Sequence, residues 1–297
     1  MPSVGGEAVL SGLGGVRVSS VYFGGGTPLT LIETVESLLG IFRPHLAPDA
    51  QVAVEVHPND ITPRVASRLA DAGVNMVSLG AERVDQVSAY PLMDFPFTNM
   101  RSRLSLGEQR RLLDTLASIG SEHGYQRSSV WTWTKAGSPK YTSITREDYV
   151  GIGAGAASHL GNRFWLNTFS AEAYMDAMMN GKTRPSPAAA TGLVPNSPVA
   201  LSASLTEQES ALYRTFWRCY EGGFDLHSPE AQVIPVLPRL TRLAERLGLV
   251  RRTSSTTRLT DKGLFLYHLL ERYYTRRYIG RLWQVCRESA FPAGVEL

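Results

Sequence analysis

Short apolar runs alternate with helical patterns along the first 80 residues. Runs rich in β-branched and aromatic residues cover 17–23, 51–56 and 75–79, and each ends at a turn signal. Between them, apolar residues recur at helical spacing over 31–42, and a second helix is predicted over 62–72. Strand, helix, strand in this order predicts a parallel sheet with helices packed on it, with function at the carboxyl ends of its strands.

The second predicted helix has clear boundaries. Thr62 is suited to the N-cap, Pro63 to the first helical position, and Gly73 to the position just past the end. After Gly80 the alternation stops, because 81–86 does not develop into a helix before the strand-like 87–90. Parallel neighbours need a crossover of about a dozen residues. Either these two strands are not parallel neighbours, or a piece of the usual architecture is absent.

The pattern resumes with a helix predicted over 106–123. Its apolar face is formed by Leu112, Leu113, Leu116 and Ile119. The following segment, 126–134, is strand-like and aromatic, and 149–160 reads as a turn rich in Gly and Ala. Residues 183–198 contain four prolines and predict a linker.

Beyond the linker, three helices and a hairpin are predicted. Thr206 and Glu209 form a capping-box pair at the start of the first helix. The second helix covers 234–247, the hairpin 249–259, and the third helix 264–274. Helix, helix, β-hairpin, helix is the order of a small winged-helix domain.

Composition and charge exclude some classes of function. A net charge of +3 spread along the chain does not predict nucleic-acid binding. No apolar run reaches the roughly 18–20 residues that span a membrane, and the first 15 residues do not read as a secretory signal. We therefore predict a cytoplasmic protein without a membrane partner.

Cysteine usage predicts the absence of a metal site. The sequence has two cysteines, Cys219 and Cys286, both in helical patterns and far apart, and its six histidines are scattered. An iron–sulfur cubane needs three or four converging thiolates. Both cysteines are expected to be buried structural thiols.

The run Gly24-Gly25-Gly26-Thr27-Pro28 follows the first strand. Glycines there allow a sharp turn and close approach of a ligand to the backbone, although such runs also occur as plain turns. Three segments, SSVYFGGGTPLTL, EVHPNDIT and LADAGVNMVSLG, occur in this order. Together they resemble the radical S-adenosylmethionine (SAM) enzymes related to oxygen-independent coproporphyrinogen III oxidase.

That resemblance implies a SAM site at the strand ends. Gly25, Gly26 and Thr27 would contact the amino and carboxyl groups of the methionine part of SAM. The carboxylate of Glu55 would face the same pocket. Glu82 stands where the family usually has Gln, which changes the chemistry of a further SAM contact.

The resemblance continues through Tyr90-Pro91-Leu92, HGYQ at 123–126 and YVGIGAGAASHLGNRFWLNT at 149–168. Residues 130–147 look most like the methyltransferase branch of the family. Gln126 would contact a second SAM, or would be a plain surface residue. The family further implies a [4Fe–4S] cluster, an electron donor such as flavodoxin, and a tetrapyrrole or natural-product substrate.

Two family segments have no counterpart in this sequence. The CxxxCxxC cluster loop lies upstream of the GGTP strand in the family, and a crossover and strand follow its SLG element. We therefore expect an incomplete (β/α) radical-SAM barrel over 1–182 and a Pro/Ala-rich linker over 183–203. A winged-helix-like domain over 204–275 and a tail over 276–297 would follow.

Without cluster thiolates this chain is expected not to generate the SAM radical, as a truncated or degenerate member of the family. Two alternatives stay open. One is a non-catalytic heme- or SAM-binding protein, for which His159 is the histidine to consider. The other is a winged-helix DNA-binding regulator, which would use the arginines of the C-terminal region (Arg251, Arg252, Arg258, Arg276 and Arg277).

Overall fold

The structure is a computed structural model that describes residues 15, 17–24, 28–56, 60–78, 86–88, 104–138, 148–180, 198–253 and 256–295. Its strands are β1 (Val18–Phe23), β2 (Leu46–Glu55), β3 (Met76–Ser78), β4 (Gln86–Ser88), β5 (Tyr125–Arg127), β6 (Thr132–Lys135), β7 (Ala157–Leu160), β8 (Arg163–Asn167), β9 (Val199–Ser204), β10 (Gly223–Phe224), β11 (Val250–Arg252) and β12 (Thr257–Leu259). Its α-helices are α1 (Ile32–Phe42), α2 (Pro63–Asp71), α3 (Leu106–Glu122), α4 (Ala171–Asn180), α5 (Glu207–Tyr220), α6 (Pro229–Gln232), α7 (Leu237–Arg246), α8 (Asp261–Tyr274) and α9 (Gly280–Glu288).

The chain divides into two compact units. The first unit comprises Met1–Val84, Gly151–Ala156 and Asn167–Ala200, and the second comprises Asp85–Val150, Ala157–Leu166 and Leu201–Leu297. None of the helices in the described part of the chain is both long and apolar enough to cross a membrane.

The first unit contains the predicted parallel sheet, in the order β1-β2-β3. Phe23 is in register with Val54, and Glu55 with Ser78, so the three strands end at one edge. The prediction of strand, helix, strand is confirmed. Strand β2 begins at Leu46 rather than at 51, because the sheet accommodates an irregularity in register between Val18 and Ser20 and pairs the earlier residues as well.

Helices α1 and α2 supply the other half of this core. The predicted start of α2 is confirmed, since the Val65 amide donates to Thr62 Oγ1 at 3.2 Å. Gly73 follows the helix with φ of +90°, a conformation that glycine adopts without strain. The core is aliphatic throughout and consists of Ile32, Val35, Leu39, Val52, Val54, Val56, Leu69 and Val74.

The break after Gly80 separates two kinds of sheet. Strand β4 pairs antiparallel with β6 in a sheet ordered β4-β6-β5, whereas β3 pairs with β2. The first of the two alternatives is therefore confirmed for the described residues: the strands on either side of the break are not parallel neighbours. Parallel pairing in the described residues is confined to β1, β2 and β3.

The prediction of one strand over 126–134 was wrong. This segment forms two antiparallel strands, β5 and β6, with Gln126 in register with Thr134. The amides of Ser128 and Ser129 both donate to the Thr132 carbonyl, at 2.8 and 3.2 Å, and these bonds close a turn. Apolar content alone did not reveal the turn, since the two serines are its main signal.

The predicted inward face of α3 was partly wrong. Leu113 is buried, but Leu112 and Ile119 are 42% and 48% exposed. The buried face is rotated toward Gln109, which is 1% exposed. Its side-chain amide donates to the Leu104 carbonyl at 2.9 Å, and this bond compensates for burying a polar group.

The second unit has an aromatic core. It comprises Leu113, Val130, Trp131, Trp133, Tyr220, Leu264 and Tyr267. Trp131 Nε1 donates to His268 Nδ1 at 3.1 Å, and Tyr267 Oη donates to the Phe216 carbonyl at 2.8 Å. These bonds satisfy the Trp131 indole and the Tyr267 phenol, two of the polar groups that large aromatic side chains bring into this core.

The C-terminal elements follow the predicted order with small shifts. The capping box of Thr206 and Glu209 at α5 is confirmed, and β11 and β12 form the predicted hairpin, joined by β10. The helix predicted over 234–247 is shorter, Leu237–Arg246. Helix α8 begins three residues before the predicted start, because Thr260 accepts from the Gly263 amide as its N-cap.

A third sheet, β7-β8-β9, includes the end of the segment predicted as a Gly/Ala-rich turn. Strand β7 occupies Ala157–Leu160, so only the first part of 149–160 is irregular. Residues 181–197, most of the predicted linker, lie outside the described residues, and its last five residues lie in β9.

Candidate functional site

The carboxyl edge of the parallel sheet carries the predicted acid. Glu55 is the last residue of β2 and is half-buried, and the hydroxyl of Tyr22 on the neighbouring strand β1 donates a hydrogen bond to Glu55 Oε1. The bond fixes the carboxylate at the strand end, where the resemblance implies a contact with SAM. Sequence reasoning missed Tyr22, which stands two residues before the glycine run and alternates with the core position Val21.

Gly24 shapes the same edge. A Cβ at this position would collide with the aromatic ring of Tyr22, so the ring can reach Glu55 only because residue 24 is glycine. The three residues that follow, Gly25, Gly26 and Thr27, lie outside the described residues, as does Glu82. Of the site predicted on the first unit, the structure therefore describes Glu55 and adds Tyr22.

Gln126 belongs to the second unit. It is exposed on β5 and lines a cavity of about 680 Å³ within that unit. The wall around it is polar: Ser128 Oγ and Thr134 Oγ1 lie 2.7 Å apart, and Thr134 Oγ1 donates to Gln86 Oε1 at 3.2 Å. Both interpretations of Gln126, ligand contact and surface residue, are compatible with an exposed amide on this wall.

Charged side chains surround the rest of this cavity. Its lining includes Arg127, Lys135, Arg214, Arg218, Glu221, Asp225, Glu230 and Arg258. Several are already paired: Arg218 lies 3.2 Å from Glu221, and Arg214 lies 3.2 Å from Asp148. A ligand here would therefore compete with existing ion pairs for these cations.

Arg127 is a structural cation at the rim of the cavity. Burial lowers the pKa of its guanidinium, and the ion pair with Asp261 at 3.1 Å opposes that shift. The guanidinium also donates to the Val130 carbonyl at 2.6 Å. Because its donors are used in this way, Arg127 holds the β5–β6 turn against α8.

The two cysteines do not fit an iron–sulfur cluster. Cys219 lies half-buried on α5 and Cys286 buried on α9. Burial raises the pKa of the Cys219 thiol to about 12 and that of Cys286 to about 11. A cluster binds thiolates, and at least three of them, so two protonated thiols on different helices cannot hold it.

The described residues contain no group of three or more His, Cys, Asp or Glu side chains placed to hold a metal ion. His159 is fully buried on β7, where its ring stacks on Tyr213 with centroids 4.7 Å apart. Its placement matches a core histidine. His268, which sequence reasoning overlooked, is also buried, and burial together with Arg272 lowers its pKa to about 4.

Comparisons with known proteins agree with the motifs. No protein-family model matches the chain. It is 40% identical over 81 residues to the heme chaperone HemW of Mycobacterium tuberculosis, covering 26% of this chain and 21% of that protein. It is 31% identical over 127 residues to the mitochondrial radical S-adenosyl methionine domain-containing protein 1 of Bos taurus, covering 41% and 28%.

Solved structures extend the similarity to the fold. The coproporphyrinogen III oxidase HemN of Escherichia coli, a radical SAM enzyme, superposes with a TM-score of 0.66 at 16% identity, covering 90% of this chain and 80% of that one. The chain spans between about a fifth and a third of the length of these two curated relatives. In its motifs and its fold, the chain is therefore similar to the radical SAM enzymes related to coproporphyrinogen III oxidase.

Proposed function

We propose that this chain is a non-radical member of its family, which keeps part of the SAM site and a tetrapyrrole or natural-product ligand but does not carry out the cluster-dependent reaction. The observation that carries this proposal is the number and placement of the cysteines. In the family, the iron–sulfur cluster supplies the electron for SAM cleavage. Here the two cysteines lie on α5 and α9 with their thiols held protonated by burial.

Glu55 supports retention of a SAM site. A carboxylate at the carboxyl edge of a parallel sheet, oriented by the hydroxyl of Tyr22, can accept hydrogen bonds from the ammonium group of a methionine moiety. We assign Gly25, Gly26 and Thr27 to the same amino acid moiety, and Glu82 to a neighbouring contact. Gln126 is proposed to contact a second ligand molecule from its cavity.

The proposed domain organisation follows the sequence interpretation. An incomplete barrel over 1–182 would carry the SAM site, and a winged-helix-like domain over 204–275 would serve to cover ligand. The sequence of helices and short strands from α5 to α8 supports the latter assignment.

Anaerobic reconstitution tests the loss of radical chemistry. The full chain and a Cys219→Ala/Cys286→Ala variant would be incubated with ferrous iron, sulfide and reductant, followed by measurement of bound iron, visible absorbance and 5′-deoxyadenosine formed from SAM. We expect both chains to bind the same background iron and to form no 5′-deoxyadenosine. A cluster absorbance that the double variant loses, or any SAM cleavage above the protein-free control, would overturn the proposal.

Calorimetric titration with SAM tests the retained site. Glu55→Gln should weaken binding about tenfold, because it replaces a charge-assisted hydrogen bond with a neutral one. Tyr22→Phe should weaken it less, since the carboxylate stays in place but loses its orienting donor. Glu122, an acid on α3 in the second unit, provides a matched control as Glu122→Gln. Equal affinities for all four chains would contradict the assignment of Glu55.

Heme binding is a second candidate, favoured by the similarity to the heme chaperone HemW. His159 is enclosed by aromatic rings and so is a poor candidate for the ligand. In a hemin titration monitored at the Soret band, a conservative His159→Gln variant should bind as the wild type does. Loss of binding in that variant, with the fold intact by circular dichroism, would assign His159 to heme. No saturable binding by the wild-type chain would exclude the candidate.

A further inference from the structure

Helix α7 exposes an ordered apolar surface. Val236, Leu240, Leu243 and Leu247, hereafter the leucine stripe, are 47%, 52%, 53% and 53% exposed. Their spacing of four, three and four residues places them on one face of the helix, one above the other. Isolated exposed leucines are common, but three leucines and a valine aligned on one face form a continuous strip of the kind that partner helices cover.

The inward face of the same helix is already determined. Thr241 is 3% exposed, and its hydroxyl donates to the Leu237 carbonyl at 2.9 Å, so its position faces the body of the second unit. The stripe lies roughly 100° or more around the helix from Thr241. The helix therefore cannot turn its leucines inward without exposing the residues that now hold it.

A row of arginines borders the stripe. Arg239, Arg242 and Arg246 are all exposed and recur at spacings of three and four residues, on the flank opposite Thr241. No ion pair joins these three to another residue of the described chain. The one acid of α7, Glu245, lies on the far side of the helix from the stripe, 3.8 Å from Arg252.

An apolar strip with cations along one edge favours a partner surface with complementary apolar and acidic groups. A helix docked on it would need apolar residues at matching spacing and acidic residues along one flank. Duplex DNA satisfies only half of this requirement, because phosphates would pair with the arginines while the leucines stayed uncompensated against a polar groove. A second copy of α7 fails for another reason, since it brings arginines and no acid on the flank of its stripe.

We propose that the leucine stripe and its arginine row form a docking surface for an acidic amphipathic helix of a partner protein. The stripe supplies the apolar contact, and Arg239, Arg242 and Arg246 fix the orientation of the docked helix. This surface is independent of the SAM site proposed on the first unit, and the two proposals can fail separately.

Fluorescence polarisation with two synthetic peptides tests the surface. Each peptide would have about 18 residues, or five helical turns, with leucines repeating the spacing of the stripe. One would carry glutamates along a single flank and the other lysines at the same positions. We expect the full chain to bind the glutamate peptide and to bind the lysine peptide at least tenfold more weakly.

Variants separate docking from general effects. Leu240→Ser/Leu243→Ser should weaken binding of the glutamate peptide at least tenfold, whereas Leu212→Ser, at a 47% exposed leucine on α5, should leave it unchanged. Arg239→Glu/Arg246→Glu should reverse the preference and favour the lysine peptide, a gain that a folding defect cannot produce.

Four results would overturn the proposal. Two of them are binding of neither peptide by the wild-type chain, and equal binding of both peptides that does not depend on the leucines. The third is self-association in sedimentation velocity through contacts that Leu240→Ser/Leu243→Ser abolishes. The fourth is binding of a labelled DNA duplex, through the same arginines, more tightly than the glutamate peptide.

Discussion

The cores of the two units differ in chemistry and in how far apart along the chain their residues lie. The first unit packs aliphatic side chains from β2, α1 and α2, all within about 45 consecutive residues. The second unit packs aromatic side chains that meet across long stretches of chain, such as Trp131 and His268, 137 residues apart. A core of the first kind forms from neighbouring elements, whereas a core of the second kind exists only when distant elements are all in place.

The two cores also differ in the polar groups that they contain. The aliphatic core contains hydrocarbon alone, but the aromatic core includes indole and phenol groups whose hydrogen bonds tie α8 to Trp131 and to α5. Each such bond ties one element to another, so damage in one place should spread. The units should therefore respond differently to the same kind of substitution.

The largest effect is expected from Trp131→Ala. This indole is 2% exposed and donates to His268, and truncating a buried Trp costs about 3–5 kcal/mol of unfolding free energy. Hydrogen exchange should show loss of protection across α3, β6 and α8, with β1, β2 and β3 retaining theirs. Equal loss in both units would show that their cores unfold together and would break the comparison.

Leu39→Ala is the counterpart in the first unit. Leu39 is also 2% exposed, and its truncation should cost about 2–5 kcal/mol, depending on how far the aliphatic core relaxes around the cavity. Here the lost protection should be confined to α1, α2 and the parallel sheet. Leu31→Ala, at a 63% exposed leucine just before α1, serves as the control and should leave the melting temperature nearly unchanged.

Two titratable groups on α8 should change the stability of the second unit with pH in opposite directions. The pKa of His268 is lowered from 6.5 to about 4, chiefly by burial and further by Arg272, so the unfolded chain takes up the proton first. This effect reduces stability as the pH falls from 6.5 toward 4. Burial raises the pKa of Glu271 from 4.5 to about 7, so its effect reduces stability as the pH rises from 4.5 toward 7.

Single substitutions should separate the two effects. In the Glu271→Gln variant, the melting temperature should rise with pH between 5 and 7. In the His268→Gln variant, it should fall over the same interval. Each effect is expected to amount to about 1–3 kcal/mol. A parallel pH slope in the wild type and in both variants would show that these groups titrate alike in the folded and unfolded chains.

The smallest effect is expected at the surface of the first unit. Arg68 on α2 pairs with Glu36 at 2.6 Å and with Glu33 at 3.1 Å, both on α1. Arg68→Ala should lower the melting temperature less than Trp131→Ala or Leu39→Ala, and added salt should remove the difference, because pairs at the surface are screened. A difference that persists at high salt would mean that the Arg68 stem, rather than its charge, stabilises the helix pair.

The sequence allowed the first unit to be predicted in detail because its signals are local. Thr62, Pro63 and Gly73 each specify one helix boundary without reference to the rest of the chain. In the second unit, burial depends on distant partners. Gln109 is buried because Leu104 and α8 surround it, and the β5–β6 turn depends on two serines within an apolar run, so neither was predicted.

The candidate site was predicted in part for the same reason. Glu55 follows from a strand end and a motif, and the structure places it at the edge of the sheet as expected. The role of Tyr22 depends on its ring bending over Gly24 toward the next strand, which is a contact between elements rather than a property of either sequence segment. Burial was predicted for both cysteines and is confirmed in full for Cys286, whereas Cys219 is half-buried. The burial of His159 and His268 and the shifted pKa values were not predicted.

The packing of Gly24 also affects how the GGGTP run can be interpreted. Because any larger residue there would displace the Tyr22 ring, substitution at this position is penalised by folding whether or not SAM is ever cleaved. The first glycine of the GGGTP run is thus constrained by packing, independently of any ligand that the residues after it contact. For this reason a glycine at this position is not by itself a record of activity.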